Sequence, residues 1–255
     1  MLQLTSFGSG SKGNCVLISN GKNNILIDAG LSPNVINKCL TQFSLTLYDI
    51  DGLLITHEHN DHIKSLGVLS QYIPVYSHPD TLAVAGHKVE IPLKQRMEIE
   101  PKTFGIGTLD ITPFKTCHDA AFPYGYVIKD CDSSIAFLTD TGFVSKGAMS
   151  VISGCDMAFI ESNHDKTMLM QGEYPQFLKQ RILSDKGHLS NEECALTVSK
   201  LIENGTQKIM LAHLSEKNNL PELAFWTTAK YLQKLGIDKD SYTLKIASQY
   251  NMVAI

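Results

Sequence analysis

Between residues 57 and 62 the chain reads His57-Glu58-His59-Asn60-Asp61-His62, immediately after the apolar run Gly52-Leu53-Leu54-Ile55, so a third of its nine histidines fall within six positions at the tip of a buried strand. A fold that accepts this stretch must bury the run and still leave the imidazoles room to converge. Residues 57 and 59 are two apart, so on extended backbone both rings point to one side. Asp61 and His62 fall where helical spacing restarts (Ile63, Leu66, Leu69) and can turn back toward them. A polar surface turn needs no such crowding, whereas a metal does. Imidazole with carboxylate and without thiolate suits Zn, Mn or Fe, and mixed N/O ligation with an open position is the catalytic pattern, because structural zinc usually closes its shell with cysteine.

The remaining ligands must come from elsewhere. Three stretches repeat the construction of an apolar strand ending in a metal-binding side chain: Thr116-Cys117-His118-Asp119, Phe137-Leu138-Thr139-Asp140-Thr141-Gly142 and Met210-Leu211-Ala212-His213-Leu214-Ser215. Cys117 alternates with His118 on extended backbone, so it points to the opposite face and is left out. His78 and His87 have no partners in sequence and read as exposed turn histidines.

Around these stretches the pattern is strand-rich. Strands are expected over Leu2–Phe7, Asn14–Ser19, Asn24–Asp28 and Asp51–Thr56, then Met97–Glu100, Leu109–Thr116, Tyr124–Lys129, Ser134–Leu138, Met157–Ile160 and Lys208–Ala212. Helices are expected after the Ser32-Pro33 cap, with Val35, Ile36 and Leu40 on the apolar face, and over Ser145–Ile152 and Pro175–Leu183. Another opens at Ser190-Asn191-Glu192-Glu193, a capping-box spelling, and a last one runs from Pro221 through Phe225, Ala229 and Leu232 to Gly236. Two runs of strands with helices suggest an α+β fold in which two sheets pack face to face with helices outside.

At 255 residues, 43% hydrophobic and 19% charged, the chain can bury a substantial core, and one domain over 1–255 is expected. Six scattered cysteines without a Cys-x-x-Cys pair read as reduced thiols. No apolar run approaches the roughly 20 residues of a membrane span, and the start lacks signal-peptide character, so a cytoplasmic protein without membrane contact is expected. A net charge of −4 argues against nonspecific coating of nucleic acid. Lys12, Lys64, Lys166, Lys179, Arg181 and Lys186 are the cations that folding could gather into a basic strip.

Taken in order, Asp28, the 57–62 cluster, His118, Asp140 and His213 resemble the five motifs of the metallo-beta-lactamase superfamily. The resemblance implies an αββα sandwich of two mixed sheets with helices on the outer faces, and two divalent ions, Zn2+ or Mn2+. His57, His59 and His118 would hold one ion; Asp61, His62 and His213 the other; Asp140 would bridge them, and Asp28 would fix the ligand loop from behind. Gly8–Asn14, Glu161-Ser162-Asn163-His164-Asp165 and Gly187-His188-Leu189-Ser190-Asn191 add a narrower resemblance, to the bacterial YycJ (WalJ) family, over nearly the whole chain. That implies a metal-dependent DNA exonuclease acting 5′ to 3′ and linked to mismatch repair, with DNA ends as substrate and mismatch-repair or replication proteins as partners. Only 73 positions separate Asp140 from His213 (213 − 140), too few for an inserted domain of roughly 100 residues, which disfavours RNA-processing relatives that carry one.

The catalytic candidates are Asp61, His188 and His164. Asp61 would orient a hydroxide shared by the two ions, and His188, just ahead of a helix N-terminus, would meet a phosphate and either stabilise the transition state or protonate the departing 3′ oxygen. The turn Ser9-Gly10-Ser11-Lys12-Gly13-Asn14 offers backbone donors and a cation but reads as a tight hairpin. Two rivals share the metal ligands: a carboxyl-ester, thioester or lactam hydrolase on the same fold, and a metal-stabilised binding module without chemistry.

Overall fold

The structure, a computed structural model, describes residues 1–255. One sheet holds β1 (Gln3–Gly8), β2 (Cys15–Ser19), β3 (Asn24–Ile27), β4 (Gly52–Leu54), β5 (Val75–Ser77) and β6 (Arg96–Glu98) in that order. The other runs from β7 (Phe104–Ile106) through β8 (Leu109–Lys115), β9 (Tyr124–Lys129), β10 (Ser134–Leu138), β11 (Met157–Glu161) and β12 (Lys208–Ala212) to β13 (Thr243–Ile246). A final short strand, β14 (Val253–Ala254), pairs antiparallel with β1 and brings the C-terminus back to the first sheet.

Both faces of each sheet are covered, and the alternation of the strands shows it. Ile25 and Ile27 of β3 enter the core between the sheets with Val16, Ile111, Tyr126, Phe137 and Phe159. Leu26 points the other way, into a layer with Ile36, Leu40, Leu66, Leu69 and Leu82 of the outer helices. On the second sheet Ala136, Leu138, Ala158 and Ile160 pack outward against Cys194, Val198, Leu201 and Leu232. Strands buried on both faces must be apolar throughout, and the expected four-layer αββα sandwich follows.

The polarity of the strands decides where a site can form. β3 to β6 are mutually parallel, and so are β10 to β13. The carboxyl ends of β3, β4, β10, β11 and β12 therefore open onto one edge of the sandwich, the position at which parallel sheets collect ligands.

The secondary structure departs from expectation in places. Val35 is exposed, and Cys39 takes its place beside Ile36 and Leu40 on the buried face of the helix Pro33–Thr41. The final helix buries Ala224, Thr228 and Leu232, one position before the face expected at Phe225 and Ala229. His78 caps the helix Pro79–Lys88, accepting from Asp80 N–H, and stacks on Phe122 at 3.6 Å; His87 is exposed within that helix. Neither is a turn residue. No helix is long and apolar enough to cross a membrane, and all six cysteines are free thiols, four of them buried.

Candidate metal centre

β4 ends early for a reason visible in its hydrogen bonds. The Ile55 carbonyl accepts from Tyr126 Oη at 2.7 Å and Ser77 Oγ at 2.8 Å, and Thr56 N–H donates to Asp28 Oδ1 at 2.9 Å. The backbone thus leaves the ladder and swings His57 and His59 across the sandwich edge, with ring centroids 4.5 Å apart. Three strand-end residues, Asp28, Asp140 and His213, sit at φ of 62°, 56° and 54°, a left-handed conformation that side chains seldom adopt. Such strain persists where surrounding contacts impose it, commonly at functional sites.

These turns bring the expected residues together. Donor atoms of His57, His59 and His118 lie within 4.8 Å of one another, as do those of Asp61, His62 and His213, and a third group of His57, His62 and Asp140 joins the two. His118 Nε2 is 3.3 Å from His59 Nδ1, and His213 Nε2 is 3.4 Å from Asp61 Oδ2 and 3.5 Å from Asp140 Oδ1. The His57 Nε2 and Asp140 Oδ2 atoms are buried without a hydrogen-bond partner, Oδ2 lying 3.3 Å from His62 Nε2 out of hydrogen-bond alignment. A buried polar atom left unpaired costs about 1–3 kcal/mol. Two cations would relieve both atoms, and the N/O donor set fits divalent ions.

The rings are held from behind. His57 Nδ1 meets Thr56 Oγ1 at 3.0 Å, His62 Nδ1 donates to Asp28 Oδ2 at 2.7 Å, His118 Nδ1 donates to the Gly187 carbonyl at 2.9 Å, and His213 Nδ1 donates to Glu161 Oε1 at 3.0 Å. Each contact fixes the ring so that Nε2 faces inward, the usual arrangement behind metal-bound histidine. The Gly8–Asn14 turn serves the same end: Ser9 Oγ accepts from His213 N–H, and Asn14 N–H donates to the Asp61 carbonyl. Gly30 packs so closely on that carbonyl that a Cβ would stand 1.6 Å from it. The hairpin therefore props the ligands, while Lys12 turns away to Glu216 and Tyr250.

The two ligand groups differ electrically. Burial lowers His57, His59 and His118, leaving them neutral donors. Burial also works against charge on His62 and His213, but Asp140 and the neighbouring carboxylates outweigh it, holding His62 well above the ordinary range and His213 at about 10. The carboxylates of Asp61, Asp140 and Glu161 answer in kind: burial would raise them, and the imidazoles hold them low.

Above the ligands opens a cavity of about 230 Å³, lined among others by His59, Asp61, Asp140, His188 and His213. His188 reaches it by a different route from the one expected. The N–H groups of Asn191 and Glu193 at the following helix are already taken by the His164 carbonyl and Ser190 Oγ, which weakens the helix-terminus argument for phosphate binding there. Instead His188 Nδ1 donates to Glu161 Oε1 at 2.6 Å and lies 3.7 Å from Asp140 Oδ1, leaving Nε2 for the cavity. Glu161 thus orients both His188 and His213, a role missed in the sequence, although a lone carboxylate at the end of the apolar run Met157–Ile160 signals it.

His164 does not line the cavity. Its ring is buried with neither nitrogen partnered, burial lowers it to about 4, and its neighbour Asn163 reaches the cavity instead. Cys117 belongs to no ligand group and lines the cleft behind His118. The six cations do not form a strip: Arg181 alone lines the cavity, Lys166 pairs with Glu193, the buried Lys179 donates to the Met170 carbonyl, and Lys186 lines the neighbouring cleft.

Residues 23–214 match the family described as beta-lactamase superfamily domain. The chain is 39% identical over 241 residues to exodeoxyribonuclease YycJ of Bacillus anthracis, covering 92% of this chain and 90% of the relative. The chain belongs to the metallo-beta-lactamase superfamily, in its YycJ/WalJ branch. Exodeoxyribonuclease WalJ of Streptococcus pneumoniae serotype 2 (strain D39 / NCTC 7466) is 40% identical over 242 residues, covering 91% of this chain and 89% of that one. In fold, the metallo-beta-lactamase fold protein YhfI of Bacillus subtilis superposes with a TM-score of 0.76 at 18% identity, over 100% of this chain and 99% of that one. Each of the five motifs sits at the carboxyl end of a strand or in the turn after it, at one edge of the sandwich.

Proposed function

We propose that the protein is a two-metal phosphodiesterase acting on DNA, a 5′-to-3′ exonuclease that supplies strand removal in mismatch repair. What carries the reading is the match to two proteins named exodeoxyribonucleases over about nine-tenths of each chain; the cavity above the ligand groups is consistent with it. Two divalent ions, when bound, would supply a water of near-neutral pKa and neutralise phosphoryl oxygens. His57, His59 and His118 would hold one ion and Asp61, His62 and His213 the other, with Asp140 between the two groups. Asp61, partly open to the cavity, orients the attacking water. His188, kept in one orientation by Glu161, delivers a proton from Nε2 to the 3′ oxygen as the P–O3′ bond breaks, and the remaining strand carries a 5′-phosphate.

The test is side-by-side turnover of a 5′-phosphorylated duplex, a single strand, a lactam and a thioester by metal-loaded protein. Release of nucleotides from DNA alone is expected. Hydrolysis of a lactam or thioester with DNA untouched would reverse the reading, and tight DNA binding without cleavage under any divalent ion would reduce the protein to a binding module.

A further inference from the structure

The outer wall of the cavity is the short helix Gln176–Ile182 and the residues just before it, and nothing in the ligand chemistry requires what that wall displays. Tyr174 lines the cavity half-buried, its hydroxyl bonds nothing, and Lys217 Nζ lies 5.8 Å from its ring centroid. Lys217 has no carboxylate partner; the lysine and arginine ion pairs are those of Lys12, Lys166 and Arg181. Arg181 lines the same cavity, 44% exposed, with Nε and Nη2 on the Asp119 carboxylate and Nη1 unbonded. A guanidinium anchored along one edge keeps its other edge for a phosphate, and the anchor spares it the entropy of becoming ordered. An aromatic ring with one cation beside it and a second cation on the same cavity as the ligand residues is the combination with which proteins hold single-stranded nucleic acid: stacking for the base, charge for the backbone.

We propose that Tyr174, Lys217 and Arg181 form a subsite for the nucleotide adjoining the scissile phosphodiester, Tyr174 stacking on an unpaired base while Arg181 and Lys217 hold the flanking phosphate. The proposal rests on the DNA-phosphodiesterase reading and adds to it that the substrate end is unpaired in the site, since a base still stacked in a duplex offers no free face to Tyr174. It also resolves the acidic net charge: affinity comes from two local cations and a ring, so binding weakens only gently with salt.

Two readouts test it on metal-loaded protein. Fluorescence anisotropy with a cleavage-resistant phosphorothioate oligonucleotide reads affinity: Tyr174→Ala should raise Kd roughly tenfold, Tyr174→Phe should restore it, and Arg181→Gln should weaken binding and lower the dependence on salt by about one charge. Turnover reads the ratio of oligonucleotide to bis(4-nitrophenyl) phosphate hydrolysis, which should fall by about tenfold or more in Tyr174→Ala. An abasic residue at the cleaved end should bring wild type down to the same ratio. Unchanged affinity and an unchanged ratio in both variants, with wild type cleaving DNA, would overturn the subsite alone. Wild-type protein that cleaves neither diester would overturn the phosphodiesterase reading and take the subsite with it.

Discussion

The floor of the cavity and its outer wall are built in opposite ways. The floor is a set of strand ends: His57, His62, His118, Asp140 and His213 are all at most 5% exposed, and a neighbour fixes each imidazole among them from behind. The wall is the short helix Gln176–Ile182 with Tyr174 just ahead of it, and it leaves Phe177 and the following Leu183 in solvent. Chemistry needs the first kind of construction, in which reacting groups cannot relax, and a long polymeric substrate is better served by the second. Changes to the floor should therefore cost activity through metal or geometry, and changes to the wall should cost substrate affinity.

The largest effect is expected at the junction of the two ligand groups. Asp140→Ala should lower turnover roughly 10³-fold or more and leave at most one ion bound, read by elemental analysis beside the rate. His188→Ala should keep the metal content of wild type and lower the rate by about 10²- to 10⁴-fold; full activity would remove it from the mechanism. Asp28→Asn, which removes the carboxylate that His62 and Thr56 share, should weaken metal affinity by about 10- to 100-fold in a chelator competition.

The floor itself should divide on titration. Ion-free His62 and His213 are protonated at neutral pH because their pKa values are raised, so a cation entering their group must displace protons, while His57, His59 and His118 give up none. Affinity of the Asp61 group should rise with pH and level off only above about 10, and loading both groups near neutrality should release about two protons, measured calorimetrically in buffers of different ionisation enthalpy. The wall gives the smallest effect: Phe177→Ser, at a side chain 72% exposed, should move stability by no more than about 0.5 kcal/mol in a denaturant melt.

The same contrast explains what the sequence disclosed. A strand end can be read because apolar alternation announces the strand and a polar residue closes it, which singled out His57, His118, Asp140 and His213, with Asp28 added by the family resemblance, and gave Tyr124–Lys129, Ser134–Leu138 and Lys208–Ala212 with their observed bounds. Short elements leave no such record. The three-residue strands Val75–Ser77 and Phe104–Ile106 are too brief for a period, and the helix Pro79–Lys88 is capped by a histidine, outside the usual capping set. Glu161 was in view but its two partners lie 27 and 52 positions away, and only the fold brings them to one carboxylate. Tyr174 and Arg181 carry no pattern at all, because a surface wall imposes none.

On the proposed function, side chains from both sheets enclose a pair of cations. The most direct measurement is anomalous diffraction at the metal edge from crystals of zinc- or manganese-loaded protein. Two peaks about 3.5–4 Å apart are expected, one among His57, His59 and His118, the other among Asp61, His62 and His213, with Asp140 touching both. A single peak, or a pair that leaves His118 or His213 uncoordinated, would contradict the account.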